Sequence, residues 1–467
     1  MVTIHDTDLK EEIKKAISKA SSLSKSVLVS EVQKIDFINP LAFFSSGNKK
    51  YKGERFFWKD NLGQTFLTGI GICEEIQSDQ GTDRFFHVER EWKRFIENAF
   101  IFNEYSVSGT GPIMFGGFSF DPLKEKTELW SKFNDTLLHI PKFLLSVVDG
   151  QAYLTTNMVC TENDDIHIYE QLLKERKELL QSIHSDSLVQ EATLLEKREM
   201  NPENWKKTVT DSVERLKEGH LKKTVLAREL RLYFDQDIVV ESVLEQLLHQ
   251  QKDSFIFAFE KMGDCFIGAS PERLVKKTGS TILSTCLAGS IARGRNQEED
   301  EALGQTLLMD PKNLNEHQFV VDMIKEAMEE VCVKVELPNQ PRLLKVRDIQ
   351  HLYTPVVGQS KINTSLFQLV RRLHPTPALG GLPKKEAVEM IREIEQLDRG
   401  LYAGPIGWMD YNNNGEFAVA IRSALVQGDE ASLFAGCGIV KDSDAESEYM
   451  ETNIKFRPML SALGGMK

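Results

Sequence analysis

Repeated hairpin signals constrain this chain more than any other feature. KDNLGQ separates RFFW from TFLTGIGI. Asp149-Gly150 divides KFLLSVV from QAYLTTNMV, and this residue pair favours a type I′ turn. Further hairpins are expected over Lys261–Asp264, at Asn414-Gly415 and at Gly428-Asp429. Each one joins neighbouring strands in an antiparallel pair. Between the hairpins lie helical patterns at 8–20, 86–99 and 168–200, the last read as a charged connecting segment. The segment 112–122 reads as a strand, with Gly116 and Gly117 marking a bulge or a close backbone contact. Asn201, Pro202 and Gly219 mark the N-cap, first position and stop of another helix. Asp310-Pro311 opens a helix running to about Glu330. Residues 1–200 carry no recognisable chemical motif and read as scaffold; the denser signals lie in 201–467.

Charge and cysteine usage exclude whole classes of function. A net charge of −13 opposes nucleic acid or an anionic membrane as the main partner. The six cysteines form no CxxC pair and read as reduced thiols, without a disulfide framework or zinc site. The first residues are charged and lack the apolar core of a signal peptide. No apolar run approaches the ~20 residues that span a bilayer. The expectation is a soluble, cytoplasmic protein.

Several residues stand out as chemistry. In AGCGIVKDSDAESEYMETNIKF, a turn through Gly436, Cys437 and Gly438 precedes a helix capped by Asp444. Glu448 and Glu451 stand three apart on it and share a face. They either complement the helix dipole or hold a hard cation beside a substrate anion. Lys223 shares a strand face with Val225 and Ala227; it is either an edge lysine reaching water or a buried functional group. Glu272 directly follows Pro271 at a strand's end. Ala288-Gly289-Ser290 forms a tight turn that a ligand could approach. Glu316 and His317, taken alone, read as exposed polar residues. His351 lies on the alternating segment 346–358. Arg422 reads as a strand residue alternating with Ala420 and Ala424, and needs an anionic partner if buried.

In their order, KKTVLAR, GASPERL, CLAGSIARG, DPKNLNEHQFVVD, IQHLYTPVVG, HPTPALGGLP, RGLYAGPIGW, VAIRSA and the 435–456 stretch resemble the chorismate-utilising enzymes. The likeness covers about residues 200–467. The N-terminal half, with MFGGFSFDP, looks most like the menaquinone-pathway isochorismate synthases. The resemblance implies an α+β fold in which large antiparallel sheets pack together with helices outside. It implies Mg²⁺ held by Glu316 and Glu451, with Glu448 as supporting carboxylate. Lys223 matches the general base of the water-using members and Glu272 the general acid. Arg422 and Tyr402, with backbone N–H groups at Gly436 and Gly438, match the groups that hold the enolpyruvyl carboxylate. His351 and Ala288, Gly289 and Ser290 match residues lining the ring.

Three positions depart from the pattern: Asn313 stands where many members have an acid, Ser290 for threonine and Cys437 for alanine. The activity implied is conversion of chorismate to isochorismate by a monomer with no glutaminase subunit. Rival readings are salicylate synthase, an amino-transferring member such as anthranilate or aminodeoxychorismate synthase, and a non-catalytic chorismate-binding protein. Lys223 argues against amino transfer, whose enzymes typically carry a non-basic residue there. Whether the product feeds menaquinone or a siderophore stays open.

Overall fold

Antiparallel pairing dominates the computed structural model, which describes residues 6–466 apart from 80, 82, 184–191 and 348. Among those residues, 21 strands join into one hydrogen-bonded system. The expected hairpins all form. Arg55–Lys59 pairs with Thr65–Ser78, Thr136–Val148 with Gln151–Cys160, and Phe255–Lys261 with Asp264–Ser270. Pro405–Asp410 pairs with Gly415–Val419, and Ser423–Gln427 with Glu430–Ile439. Asp149 and Gly150 have φ of 48° and 77°, the left-handed pair a type I′ turn requires.

Strands of 1–200 and 201–467 interleave. Ile256 lies opposite Lys59, and Gly407 opposite Gly116. A Cβ on Gly116 would lie 2.0 Å from the Leu137 carbonyl oxygen, so only glycine lets these strands approach. The main apolar cluster draws Trp58, Phe115 and Phe118 from the first half, and Phe257, Val320 and Phe417 from the second. Helices cover the sheets: Pro311–Glu329 adds Val320, Ile324 and Ala327 to that cluster, and Ala445–Ala462 packs Phe456, Met459 and Leu460 on another. The class is α+β. No helix among the described residues is long and apolar enough to cross a membrane.

Four local expectations fail for identifiable reasons. The segment 168–200 is not one helix: His167–Ser182 is helical, 184–191 lies outside the described residues, and Leu194–Glu199 is a strand beside Lys223–Phe234. That strand's outer edge is exposed, so its charged residues carry no period-2 apolar signal. Gly436, Cys437 and Gly438 form no turn but lie within the strand Glu430–Ile439, the register with the neighbouring strand overriding glycine's turn preference. Arg422 lies outside a strand, at φ 53° between Gly415–Val419 and Ser423–Gln427. Asn201 occupies the N-cap position with φ 48°, but its side chain makes no capping bond.

Candidate active site

The strand Lys223–Phe234 positions the first group. Lys223 pairs with Leu382 on one side, while Thr224 beside it faces Ile439 on the other, so this is no edge lysine. Its side chain is 8 % exposed and donates to the carboxylate of Glu316. Room for it comes from Gly438, opposite Val225: a Cβ there would lie 2.6 Å from Lys223 Cε and 3.0 Å from Nζ. The obstructing atoms are the end of a flexible chain, so Gly438→Ala should fold and displace the amine. We expect kcat to drop about 10²-fold, the scale of a 1 Å misplacement. Steady-state kinetics at wild-type levels would show that the position of Lys223 is immaterial.

The helix Pro311–Glu329 presents Glu316. Asp310 caps it, its carboxylate accepting from the N–H groups of Lys312 and Asn313 at 3.3 Å. His317 is buried rather than exposed. Its ring bonds the Ala288 carbonyl at 3.0 Å and Thr354 Oγ1 at 2.7 Å, fastening this helix to the strand Thr281–Ala292. In that strand the register shifts between Leu287 and Ser290, so the expected tight turn is a bulge. Gly289 sits in it at φ 81°, with Asn313 Oδ1 3.2 Å from where a Cβ would lie. Ser290 Oγ bonds His351 Nδ1 at 2.7 Å. The other ring nitrogen of His351 is buried with no protein partner.

Glu430–Ile439 and the helix Ala445–Ala462 form the opposite wall. Asp444 caps the helix, accepting from Ser447 N–H at 2.9 Å. Glu451 bonds Lys455 at 2.6 Å, and Lys455 also donates to the Gly436 carbonyl at 2.8 Å. Ala227, facing Gly436, sends its N–H to Glu395 and its carbonyl to Trp205, away from its neighbour. Gly436 therefore turns its own polar groups to the outer edge. Pairing with Ser423–Gln427 ends at Phe434, so the N–H groups of Gly436 and Gly438 face an uncovered edge at the cavity.

All residues nominated from sequence line one cavity of about 220 Å³. Burial raises the Glu272 carboxyl to about 8 despite the pull of Arg422, Lys223 and Lys455. Burial also raises Glu316, but the charge and the hydrogen bond of Lys223 together outweigh it and leave that carboxyl below its usual value. Lys455 lowers Glu451, and burial raises Glu448. Burial, with Arg422 and Lys455 nearby, lowers His351 to about 3, so its ring is neutral. Burial raises the Tyr402 hydroxyl to about 12, and its ring stacks on Phe434 at 5.4 Å. The cavity thus pairs a buried protonated carboxyl with a lysine, beside two ionised carboxylates.

Sequence reasoning missed Lys455, Lys312 and the role of Arg399, which also line the cavity. Lys455 lies four residues past Glu451, a spacing that could have flagged it. Arg399 pairs with Glu395 at 2.6 and 2.7 Å and donates to the Val225 carbonyl at 2.7 Å, holding the lysine-bearing strand.

The family model described as "Chorismate binding enzyme" matches residues 13–464. The isochorismate synthase MenF of Bacillus subtilis is 44 % identical over 100 % of this chain and 99 % of its own length. The salicylate biosynthesis isochorismate synthase of Pseudomonas aeruginosa is 34 % identical over 98 % of this chain and 95 % of its own. The solved structure of the menaquinone-specific isochorismate synthase MenF from Escherichia coli aligns with a TM-score of 0.78 at 22 % identity. It covers 97 % of this chain and 99 % of that one, a likeness of fold.

Proposed function

The chain belongs to the chorismate-binding enzyme family, and from that premise we propose that it is an isochorismate synthase serving menaquinone biosynthesis. The observation that carries the reading is Lys223 and the protonated Glu272 on one cavity. Chorismate has two carboxylates. Arg422, Lys455 and the strand-edge N–H groups of Gly436 and Gly438 suit the enolpyruvyl carboxylate. Tyr402 closes that end. The neutral His351 and the Ala288–Ser290 bulge line the ring.

Lys223, in its neutral form, takes a proton from water as the water oxygen bonds carbon 2. The ring double bonds shift and the carbon 4–oxygen bond breaks. Glu272 gives its proton to the departing hydroxyl, which leaves as water. The ring isomerises with no net gain or loss of atoms; Lys223 then gives its proton up to solvent and Glu272 takes one back. Glu272 suits the donor role because burial keeps it protonated at neutral pH.

The donor set fits a hard cation. Glu316 and Glu451 face one cavity from two helices and repel each other, each offset by a lysine. Among the described residues, no three carboxylate, imidazole or thiolate groups cluster as a closed metal site. Mg²⁺ typically needs only one or two carboxylates, with waters and a ligand anion completing it. Glu316 and Glu451 would hold it, with Glu448 supporting, and bound there it would offset the charge of the ring carboxylate. Asn313 contributes no charge to this set. The six unpaired cysteines suit a reducing cytosol.

The deciding experiment is incubation with chorismate and Mg²⁺, with and without ammonium, and identification of the product. Isochorismate is expected, with no aminated product and no glutaminase subunit. Salicylate as the main product would show pyruvate elimination following in the same site; anthranilate or an amino-isochorismate would overturn water addition.

A further inference from the structure

The cavity is lined by four carboxyl groups, Glu272, Glu316, Glu448 and Glu451, in a protein of net charge −13. Five cations, Lys223, Lys312, Arg399, Arg422 and Lys455, line the same cavity and Glu272 is protonated, so it is the net charge of the protein around the cavity that repels an approaching dianion. The cations deeper in the cavity are already engaged: Lys223 with Glu316, Lys455 with Glu451 and Arg399 with Glu395. Lys312 differs. It lines the same cavity from the first turn of Pro311–Glu329, is exposed to solvent, and makes no ion pair among the described residues. The acid nearest in sequence, Asp310, is occupied in capping the helix and bonding the Asn313 side chain. Asn313, next to Lys312, brings no negative charge. The Lys312 charge reaches Glu448 without forming an ion pair with it, and an exposed ammonium so placed at the rim acts on a charged ligand before it docks.

We propose that Lys312 is the capture residue of this site, engaging a carboxylate of the incoming dianion before Arg422 and Lys455 receive it. The inference rests on the reading of the site as chorismate-binding. Rim charges act chiefly on association and on its salt dependence. Lys312→Ala should therefore lower kcat/KM about tenfold at low ionic strength and leave kcat within about twofold. The slope of kcat/KM against ionic strength should flatten. Lys312→Arg should restore both, and Lys312→Glu should fall further and reverse the slope. Lys174→Ala removes an equal charge from an exposed position on the helix His167–Ser182 and should change neither quantity.

The measurement is steady-state kinetics with chorismate and Mg²⁺ from about 10 to 300 mM salt, a range over which the screening length contracts several-fold. A wild-type kcat/KM and slope in Lys312→Ala would overturn the assignment. So would equal losses in kcat and kcat/KM, which would place Lys312 in the chemical step, or an equal effect of Lys174→Ala, which would reduce it to net charge. If the unaltered chain fails to turn over chorismate, the reading of the site falls first and the assignment with it.

Discussion

Glu272→Gln lowers kcat by about 10²–10⁴-fold while chorismate binding changes little, and it removes the high-pH limb of the rate profile. The size is that of one positioned proton transfer. The sign follows from burial, which raises the carboxyl to about 8. The acid form dominates below that value and is lost as pH rises through it, so kcat should fall above about pH 8 in the unaltered enzyme. Glutamine keeps the shape and cannot give up a proton at any of these pH values. Its residual rate should lack that limb. Lys223→Ala should lower kcat over the same range, because Arg422 and Lys455 still hold a carboxylate when the base is gone. Kinetics across pH, with chorismate binding measured separately by calorimetry, test both. If Glu272→Gln kept the limb, another group would be the acid. If Lys223→Ala lost binding yet kept turnover at saturation, the lysine would be a substrate anchor and water would have no base here.

Much of this architecture was legible because hairpins announce themselves locally. Asp149-Gly150 needs left-handed backbone at both positions, and few other residue pairs supply it. The site was legible by a different route. Lys223, Glu272, Glu316 and Glu451 are far apart in sequence and converge only through strand pairing and the packing of two helices on the sheet, so the motif order carried them rather than any spacing. What escaped depended on three-dimensional company. The Gly436–Gly438 segment looks like a turn until pairing with Lys223–Phe234 holds it extended. His317 looks like a surface residue until the Ala288 carbonyl and Thr354 enclose its ring. Arg399 carries no local sign that its guanidinium grips the carbonyl of Val225 from another element.

Glu316→Gln and Glu451→Gln should each cost at least about 10²-fold in turnover at limiting Mg²⁺ while leaving the fold intact. Each change keeps the side-chain volume and an oxygen that accepts from the facing lysine, so Lys223 and Lys455 retain a neutral hydrogen bond. What disappears is one of the two negative charges facing the cavity from separate helices. A metal acting on a developing charge contributes several kcal/mol, and about 1.4 kcal/mol is a factor of ten in rate. The two variants should then differ. Glu316→Gln also removes the charge opposite Lys223, so its loss should persist at saturating Mg²⁺. The Glu451 side chain is 45 % exposed and its partner Lys455 also bonds the Gly436 carbonyl, so excess Mg²⁺ should recover more of that variant's activity. Mg²⁺ titrations of activity, alongside direct Mn²⁺ binding followed by electron paramagnetic resonance, separate lost metal affinity from lost chemistry. Wild-type activity at limiting Mg²⁺ in either variant would remove that glutamate from the metal set. Unchanged Mn²⁺ binding in both would leave the acidic pair with the simpler task of holding the two lysines in place.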